Sequence, residues 1–232
     1  MNNDSVTLKR KNGSHYCGGS ILSNNKVLSA AHCKQSSDGN TAGAGGVKLN
    51  EQRDYKNVSI QTAHERYNTR TFEYDFMMIT IDGFFDIIDD GLIKPVPIVN
   101  RWSSPNSRME YCPTDPAVKC ICKAAGYGYK DLDANDNPTG LAATLQYVEM
   151  EAITVDDCGL HWTGMIKDSM QCAFTPLGSP AVSSCMGDSG GPLVIPDVNV
   201  DVGYRLVGEF NSIDCVITVL RCEFMGRRKV FD

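Results

Sequence analysis

A serine enclosed by glycines, in the segment Gly187-Asp188-Ser189-Gly190-Gly191-Pro192, has the sequence features of an activated nucleophile. A Gly-rich turn exposes the serine hydroxyl and leaves the neighbouring backbone N–H groups able to converge on one point. Such a segment can also be a plain β-turn, since Gly and Ser are common turn residues. The segment therefore predicts a nucleophile beside an oxyanion hole, and this interpretation requires partner residues elsewhere in the chain.

Two further segments supply the residue types that a serine nucleophile requires. Leu28-Ser29-Ala30-Ala31-His32-Cys33 places a histidine after the strand-like run Ser20-Ile21-Leu22, and Tyr74-Asp75-Phe76-Met77-Met78-Ile79 places a carboxylate at the head of an apolar run. The nucleophile needs a base that takes its proton and an acid that fixes the tautomer of that base. Each segment alone is more often structural, but together, in the order His, Asp, Ser, they predict a hydrolase.

These segments resemble the trypsin/chymotrypsin family of serine proteases, in which the same three residue types follow in the same order. The resemblance runs from about Val6 to Cys215, most of the chain. Cys17-Gly18-Gly19-Ser20 is similar to the family's segment before the catalytic histidine. His64-Glu65-Arg66-Tyr67-Asn68 is similar to its HPxYN stretch, and Gly126-Tyr127-Gly128 stands where the family usually has Gly-Trp-Gly.

The resemblance implies a reaction and a role for each residue. His32 would be the general base, Asp75 the acid that orients it and Ser189 the nucleophile, and the N–H groups of Gly187 and Ser189 would form the oxyanion hole. The implied activity is that of a serine endopeptidase, which hydrolyses peptide bonds through an acyl-enzyme. We expect no metal or organic cofactor, and the segment 39–58, where the family's calcium loop would lie, has no matching pair of acidic ligands.

Substrate preference in the family is read at the floor of the specificity pocket, where this chain has Ser183. A neutral serine there favours an apolar or aromatic substrate side chain, although Ser183 can also be a polar loop residue. The pocket wall departs from the family pattern in the segment 208–213, where the family has GIVSWG. Asn211 replaces the serine that supports the catalytic aspartate, and Ser212 replaces the tryptophan that walls the pocket. The resemblance therefore implies the roles of His32, Asp75 and Ser189 more strongly than the substrate preference.

The activation segment of the family has no counterpart in this sequence. Mature family members begin with an Ile-Val-Gly-Gly-type segment, whose α-amino group pairs with the aspartate before the nucleophile, whereas this sequence begins at Met1 without one. Asp188 would then be a buried carboxylate in need of another donor. His15 matches a histidine that holds this aspartate in some family zymogens. We therefore expect an Asp188–His15 pair and a zymogen-like state, and a non-catalytic homologue acting as a binding or decoy module is the alternative function.

The elements that must position these residues are short and β-rich. Strand-like runs are punctuated by Gly, Asn and Asp, at Ser20–Leu22, Phe76–Ile81, Thr144–Glu149, Leu193–Ile195 and Arg205–Val207. The resemblance implies an all-β fold of two packed antiparallel six-stranded β-barrels with the active site between them. The 232 residues would form one peptidase domain, with a first barrel over about 6–95, a linker over 96–116, a second barrel over 117–220 and a tail over 221–232.

The end of the second barrel departs from the family. The family's closing strand and terminal helix are absent, which would leave this barrel incomplete. The run Val216–Leu220 has the β propensity to substitute as a closing strand.

Ten cysteines indicate an oxidising compartment. The family pattern implies the disulfides Cys17–Cys33, Cys158–Cys172 and Cys185–Cys215. The pairing of the other four stays open, because four cysteines allow three pairings; these are Cys112, Cys120, Cys122 and Cys222. We expect a secreted, extracellular protein, although the polar stretch from Met1 to Arg10 lacks the apolar core of a signal peptide.

The net charge of −6 argues against a nucleic-acid partner. No stretch of the sequence approaches the roughly 18 uncharged apolar residues of a membrane helix. The expected partners are polypeptide substrates or protein inhibitors, and the chain is expected to act as a monomer.

Overall fold

The regular secondary structure of the described residues consists almost entirely of β-strands. The computed structural model describes residues 4–87, 91–98, 119–132, 138–154, 158, 160, 164, 166–167, 169–170, 172–174, 186–197 and 203–209. A single 3₁₀ turn, Ala31–Cys33, follows the third strand. The described strands are β1 (Ser5–Lys9), β2 (His15–Ser23), β3 (Lys26–Ala30), β4 (Thr41–Ala44), β5 (Asp54–Ala63), β6 (Phe76–Ile81), β7 (Ile121–Gly126), β8 (Tyr129–Leu132), β9 (Pro138–Leu141), β10 (Gln146–Ile153), β11 (Cys172–Phe174), β12 (Pro192–Pro196) and β13 (Tyr204–Glu209).

The first six strands close into an antiparallel barrel in the order β1-β2-β3-β6-β5-β4. Its interior is filled by branched and sulfur-containing side chains, including Leu8, Ile21, Val27, Met77 and Ile79, each fully shielded from solvent. Along a strand, side chains point alternately to the two faces, so every second residue of β6 contributes to this core. The register between β3 and β6 ends with Ala30 opposite Phe76. The turn after β3 therefore lies beside the residue that precedes β6.

The second unit is a curled five-stranded sheet in the order β11-β10-β7-β12-β13, and β8 and β9 form a separate two-stranded ribbon. Cys122, Met150, Leu193 and Val207 lie in its core. The predicted all-β, trypsin-like fold is confirmed. The five strand-like runs of the sequence all fall within or overlap described strands. The run Val216–Leu220 and residues 99–116 of the predicted linker lie outside the described residues.

The two units pack together through an apolar layer and a buried hydrogen bond. Phe76, Val194 and Leu206 share one apolar cluster across the interface. At its edge the Tyr204 hydroxyl donates to Asp4 Oδ1 at 2.9 Å. Burial raises the pKa of Asp4 to about 6. Within the described part of the chain, no helix is long and apolar enough to span a membrane.

Candidate active site

His32 and Asp75 meet at the end of the β3–β6 pair. His32 lies in the 3₁₀ turn that follows β3, and Asp75 immediately precedes β6. The Asp75 carboxylate contacts the histidine at two points: Oδ2 accepts from ring Nδ1 at 2.6 Å and Oδ1 accepts from the backbone N–H at 2.8 Å. Asp75 is only 3% exposed. Because a carboxylate only accepts, Nδ1 carries the proton and Nε2 is left as the basic nitrogen.

The loop that delivers Asp75 adopts unusual backbone geometry. Phe72 and Tyr74 have φ values of 56° and 55°, in the left-handed region that bulky residues rarely occupy. The Tyr74 N–H donates to Ser169 Oγ of the second unit at 3.1 Å, and the Phe72 and His32 rings form a T-shaped pair with their centroids 6.2 Å apart. Such strain persists only where surrounding contacts enforce it. Here those contacts hold the loop against the histidine.

The turn that carries Ser189 packs directly against β2 and the turn after β3. A Cβ atom on Gly18 would lie 2.9 Å from the Cα of Gly191, and one on Gly190 would lie 2.9 Å from the Ala30 nitrogen. Only glycine allows the two backbones to approach this closely. Cys33 Sγ lies 3.7 Å from the Ser189 carbonyl oxygen and 3.8 Å from His32 Nε2. The serine backbone is thereby placed beside the histidine ring.

The orientation of the Ser189 turn is fixed through its carbonyl groups. In a trans peptide the N–H points away from the carbonyl of the same plane. Hydrogen-bond donors of the surrounding chain hold the Met186 and Asp188 carbonyls. The N–H groups of Gly187 and Ser189 lie in the same peptide planes and therefore point away from these donors, as an oxyanion hole needs. The carbonyls and their donors are Met186 with the Tyr129 N–H at 2.9 Å, Gly187 with His15 Nε2 at 2.8 Å, Asp188 with the Gly191 N–H at 2.9 Å, and Ser189 with the Gly18 N–H at 2.8 Å.

His15 supports this turn rather than the carboxylate that the sequence analysis assigned to it. Its Nε2 contacts the Gly187 carbonyl and its Nδ1 contacts Thr7 Oγ1, each at 2.8 Å. Since a carbonyl only accepts, Nε2 carries the proton, and in the neutral ring Nδ1 accepts from the Thr7 hydroxyl. Burial lowers the pKa of His15 to about 4, which keeps the ring neutral at physiological pH. Both ring nitrogens thus have hydrogen-bond partners, and the one in the turn is the carbonyl of Gly187, the residue before Asp188.

The Asp188 carboxylate lies on the Gly126-Tyr127-Gly128 segment. The Gly128 N–H donates to Asp188 Oδ1 at 2.7 Å. A Cβ atom at Gly126 would lie 2.9 Å from Asp188 Cγ, and a Cβ atom at Gly128 would lie 2.5 Å from it. The two glycines therefore form a seat that the carboxylate fills. The segment that follows β7 in the second unit therefore also holds the turn that carries Ser189.

Gly128→Ala is expected to displace the Asp188 carboxylate and thereby misplace the neighbouring Ser189, the predicted nucleophile. Misplacement by about 1 Å can cost roughly 100-fold in rate, so the rate constant for labelling of Ser189 by a fluorophosphonate should fall by about that factor. Gly83→Ala is the control, because Gly83 has positive φ and open space around it, so this change strains the chain away from the turn. Equal losses in the two variants would contradict the prediction.

Glu209 is a buried acid that the sequence patterns did not indicate. It is fully buried on β13, 2% exposed, and neither carboxylate oxygen has a hydrogen-bond partner among the residues that the structure describes. Burial, and secondarily the negative charge of Asp75, raise its pKa well above the ordinary value. The available signal was a lone charged residue following the apolar run Leu206-Val207-Gly208.

The described cysteines include two disulfides and one thiol. Cys17–Cys33 joins β2 to the turn that carries His32, and Cys158–Cys172 lies in the second unit. Cys120 is also disulfide-bonded. Cys122 is a free buried cysteine whose pKa is raised to about 12 by burial. Of the four cysteines left open by the sequence, Cys122 is therefore unpaired here, and Cys112 and Cys222 lie outside the described residues.

One group of side chains in the described ranges has metal-ligand spacing. The ligand atoms of Cys17, His32 and Cys33 lie within 4.8 Å of one another. Both sulfurs belong to one disulfide, whereas a metal requires thiolates. The group is therefore no metal site in this state.

The predicted specificity pocket lies outside the described residues. This applies to Ser183, Asn211 and Ser212, and also to the expected disulfide Cys185–Cys215. The structure thus describes the surroundings of His32, Asp75 and Ser189 and gives no geometry for the predicted substrate preference.

Comparisons with known proteins point to one family. The family model described as Trypsin matches residues 2–211. The chain is 32% identical over 214 residues to Trypsin epsilon of Drosophila erecta. This alignment covers 88% of this chain and 69% of that protein. The chain is 30% identical over 202 residues to Hypodermin-A of Hypoderma lineatum, with coverage of 85% and 70%. Neuropsin, a serine protease from mouse brain, has a similar fold at a TM-score of 0.75 and 24% identity, over 97% of this chain and 92% of that one.

Proposed function

The chain belongs to the trypsin family of serine proteases, and from that premise we propose that it is a serine endopeptidase acting through His32, Asp75 and Ser189. The observation that supports the proposal most directly is the double contact between the buried Asp75 carboxylate and His32. A purely structural aspartate would not need to fix the tautomer of a partly exposed histidine. This arrangement leaves Nε2 as a base, 3.8 Å from a Cys33 sulfur that also lies 3.7 Å from the Ser189 carbonyl oxygen.

The proposed reaction is acyl transfer in two halves. Ser189 Oγ attacks the peptide carbonyl carbon while His32 Nε2 takes the hydroxyl proton, and the carbonyl oxygen becomes an oxyanion near the N–H groups of Gly187 and Ser189. The C–N bond then breaks, and His32 gives its proton to the leaving amine. Water attacks the resulting ester with His32 again as base, which releases the carboxylic acid and restores Ser189. Asp75 stabilises the imidazolium throughout.

The substrates would be polypeptides, and protein inhibitors of this enzyme class would compete for the same site. The disulfides and the secreted nature expected of this family support an extracellular location. Neither statement depends on the identity of the preferred substrate side chain.

Fluorophosphonate labelling tests the proposed function without knowledge of the substrate. Ser189 Oγ attacks phosphorus and fluoride leaves, so stable labelling requires an activated nucleophile. We expect time-dependent incorporation of one label into the full chain, located at Ser189 by peptide mass spectrometry, and none in Ser189→Ala. Absence of labelling in a chain whose melting transition is intact would overturn the proposal and favour the non-catalytic binding or decoy module instead.

A further inference from the structure

Tyr127 connects the seat of Asp188 to a loop of the first barrel. Its side chain is 2% exposed. Its hydroxyl donates to the Gly46 carbonyl at 2.7 Å and accepts from Gln52 Nε2 at 2.9 Å. The residues on either side of Tyr127, Gly126 and Gly128, are the ones that contact the Asp188 carboxylate. The backbone of this segment thus contacts the turn that carries Ser189, whereas the tyrosine hydroxyl binds Gly46 and Gln52 of the first barrel.

The anchor is the loop 46–52, which is itself closed by Gln52. Gln52 is 8% exposed. Its Nε2 reaches the Lys48 carbonyl at 2.7 Å, and its Oε1 accepts from the Gly46 N–H at 3.1 Å. Two backbone bonds then attach the same loop to the second unit, from the Leu49 N–H to the Ala143 carbonyl at 2.9 Å and from the Leu145 N–H to the Val47 carbonyl at 2.7 Å. The tyrosine hydroxyl therefore binds a loop held on several sides.

We propose that Tyr127 is a positioning residue for the turn that carries Ser189, and that Gln52 is the partner through which the loop 46–52 holds Tyr127. The proposal rests on the proposed function, since it assigns a role in the same reaction. Tyr127 contacts neither substrate nor reacting atoms in this assignment. It fixes Gly126 and Gly128, these fix the Asp188 carboxylate, and Asp188 is joined through one peptide plane to the N–H of Ser189.

The hydroxyl chemistry explains why tyrosine suits this position. A phenol both donates and accepts, so it can bond Gly46 and Gln52 at once. The indole of the tryptophan that usually occupies this position in the family only donates, so it would leave the Gln52 amide without this acceptor. The His15 and Tyr127 rings also form a T-shaped pair with their centroids 6.0 Å apart. Tyr127 thus touches the residue that holds the Gly187 carbonyl.

Tyr127→Phe removes the hydroxyl and keeps the ring, which separates the anchor from core packing. We expect the maximal rate constant of fluorophosphonate labelling to fall about tenfold, with the concentration for half-maximal rate unchanged, because reagent binding does not need the turn but the transition state does. Tyr204→Phe is the matched control, since Tyr204 is also buried and its hydroxyl bonds Asp4 Oδ1 at 2.9 Å instead. It should stay within about twofold of the original rate.

Two further measurements test the proposal, and the second does not depend on labelling. In a double-mutant cycle with Gln52→Met, the combined variant should label no more slowly than Tyr127→Phe alone, since both changes break one anchor. Amide hydrogen exchange in the peptide covering 186–191 should accelerate in Tyr127→Phe and not in Tyr204→Phe, whether or not the chain is an enzyme.

The outcomes separate the two proposals. Unchanged exchange and an unchanged maximal rate in Tyr127→Phe would overturn the positioning role. Equal losses in the two Tyr→Phe variants would also overturn it. A chain that is never labelled, but whose turn exchanges faster in Tyr127→Phe alone, would refute the proposed function and leave the structural role of Tyr127 intact.

Discussion

Asp75→Asn is expected to lower the rate of peptide or ester hydrolysis about 10⁴-fold, the size of effect that this change has in serine proteases, while the chain stays folded. The geometry explains the direction. Asp75 accepts from two donors on His32, the backbone N–H and ring Nδ1. An asparagine must turn its carbonyl oxygen towards the backbone N–H, because that group only donates. Its NH₂ group then faces Nδ1 and forces the proton onto Nε2.

The wrong tautomer removes the base, because a protonated Nε2 cannot accept the Ser189 proton. The measurement is the hydrolysis rate of p-nitrophenyl acetate together with fluorophosphonate labelling. Asp38→Asn is the control, since that carboxylate is exposed and pairs with Lys11 at 3.5 Å, away from His32. An Asp75→Asn chain that hydrolyses the ester at the original Ser189-dependent rate would refute the orienting role.

Glu209→Met is expected to raise the free energy of unfolding by several kcal/mol near pH 8, the order of the cost of an uncompensated buried charge or polar group. Glu209 is buried, and no described residue bonds either of its carboxylate oxygens. Burial, and secondarily the negative charge of Asp75, place its pKa well above its ordinary value of 4.5. An acid whose pKa is raised in the folded state stabilises the protein below its unfolded pKa. That contribution falls by about 1.4 kcal/mol per pH unit as the pH rises from about 4.5 towards the folded pKa.

Urea unfolding at several pH values between 5 and 8 measures this slope. The original chain should lose stability across that range through Glu209, and Glu209→Met should lose less. Glu209→Gln is the matched variant, since it is neutral at every pH and keeps an unbonded polar group, so it should remove the same slope with a smaller gain in stability. A slope that is identical in all three chains would show that Glu209 does not titrate as its burial requires.

The site residues that the sequence could predict are those whose chemistry is written locally. Ser189 stands in a glycine-rich turn, His32 follows a strand-like run and Asp75 precedes one. Each of these relations survives in the fold, because hydrogen-bonding capacity and strand periodicity act over a few residues. The strand runs around Ile21, Phe76 and Leu193 were readable for the same reason.

Residues that act through distant partners could not be assigned in this way. The sequence offered Asp188 as the partner of His15, whereas the ring bonds Thr7 and the Gly187 carbonyl. The choice between a carboxylate and a carbonyl one residue apart depends on how β1 and β2 present the ring to a turn that lies 172 residues away in sequence. A local sequence pattern cannot predict a contact between residues so far apart in the chain.

The amino-acid sequence by itself determined the all-β class and the family, and it predicted the three residues of the proposed reaction, because strand patterns and short motifs are local properties of the chain. Only the tertiary structure decided which groups hold the turn that carries Ser189, where the Asp188 carboxylate sits, and that Glu209 is buried without a partner among the described residues. Those outcomes are set by the packing of the two units against each other, where a hydrogen bond forms or fails according to the position of backbone atoms far apart in the sequence.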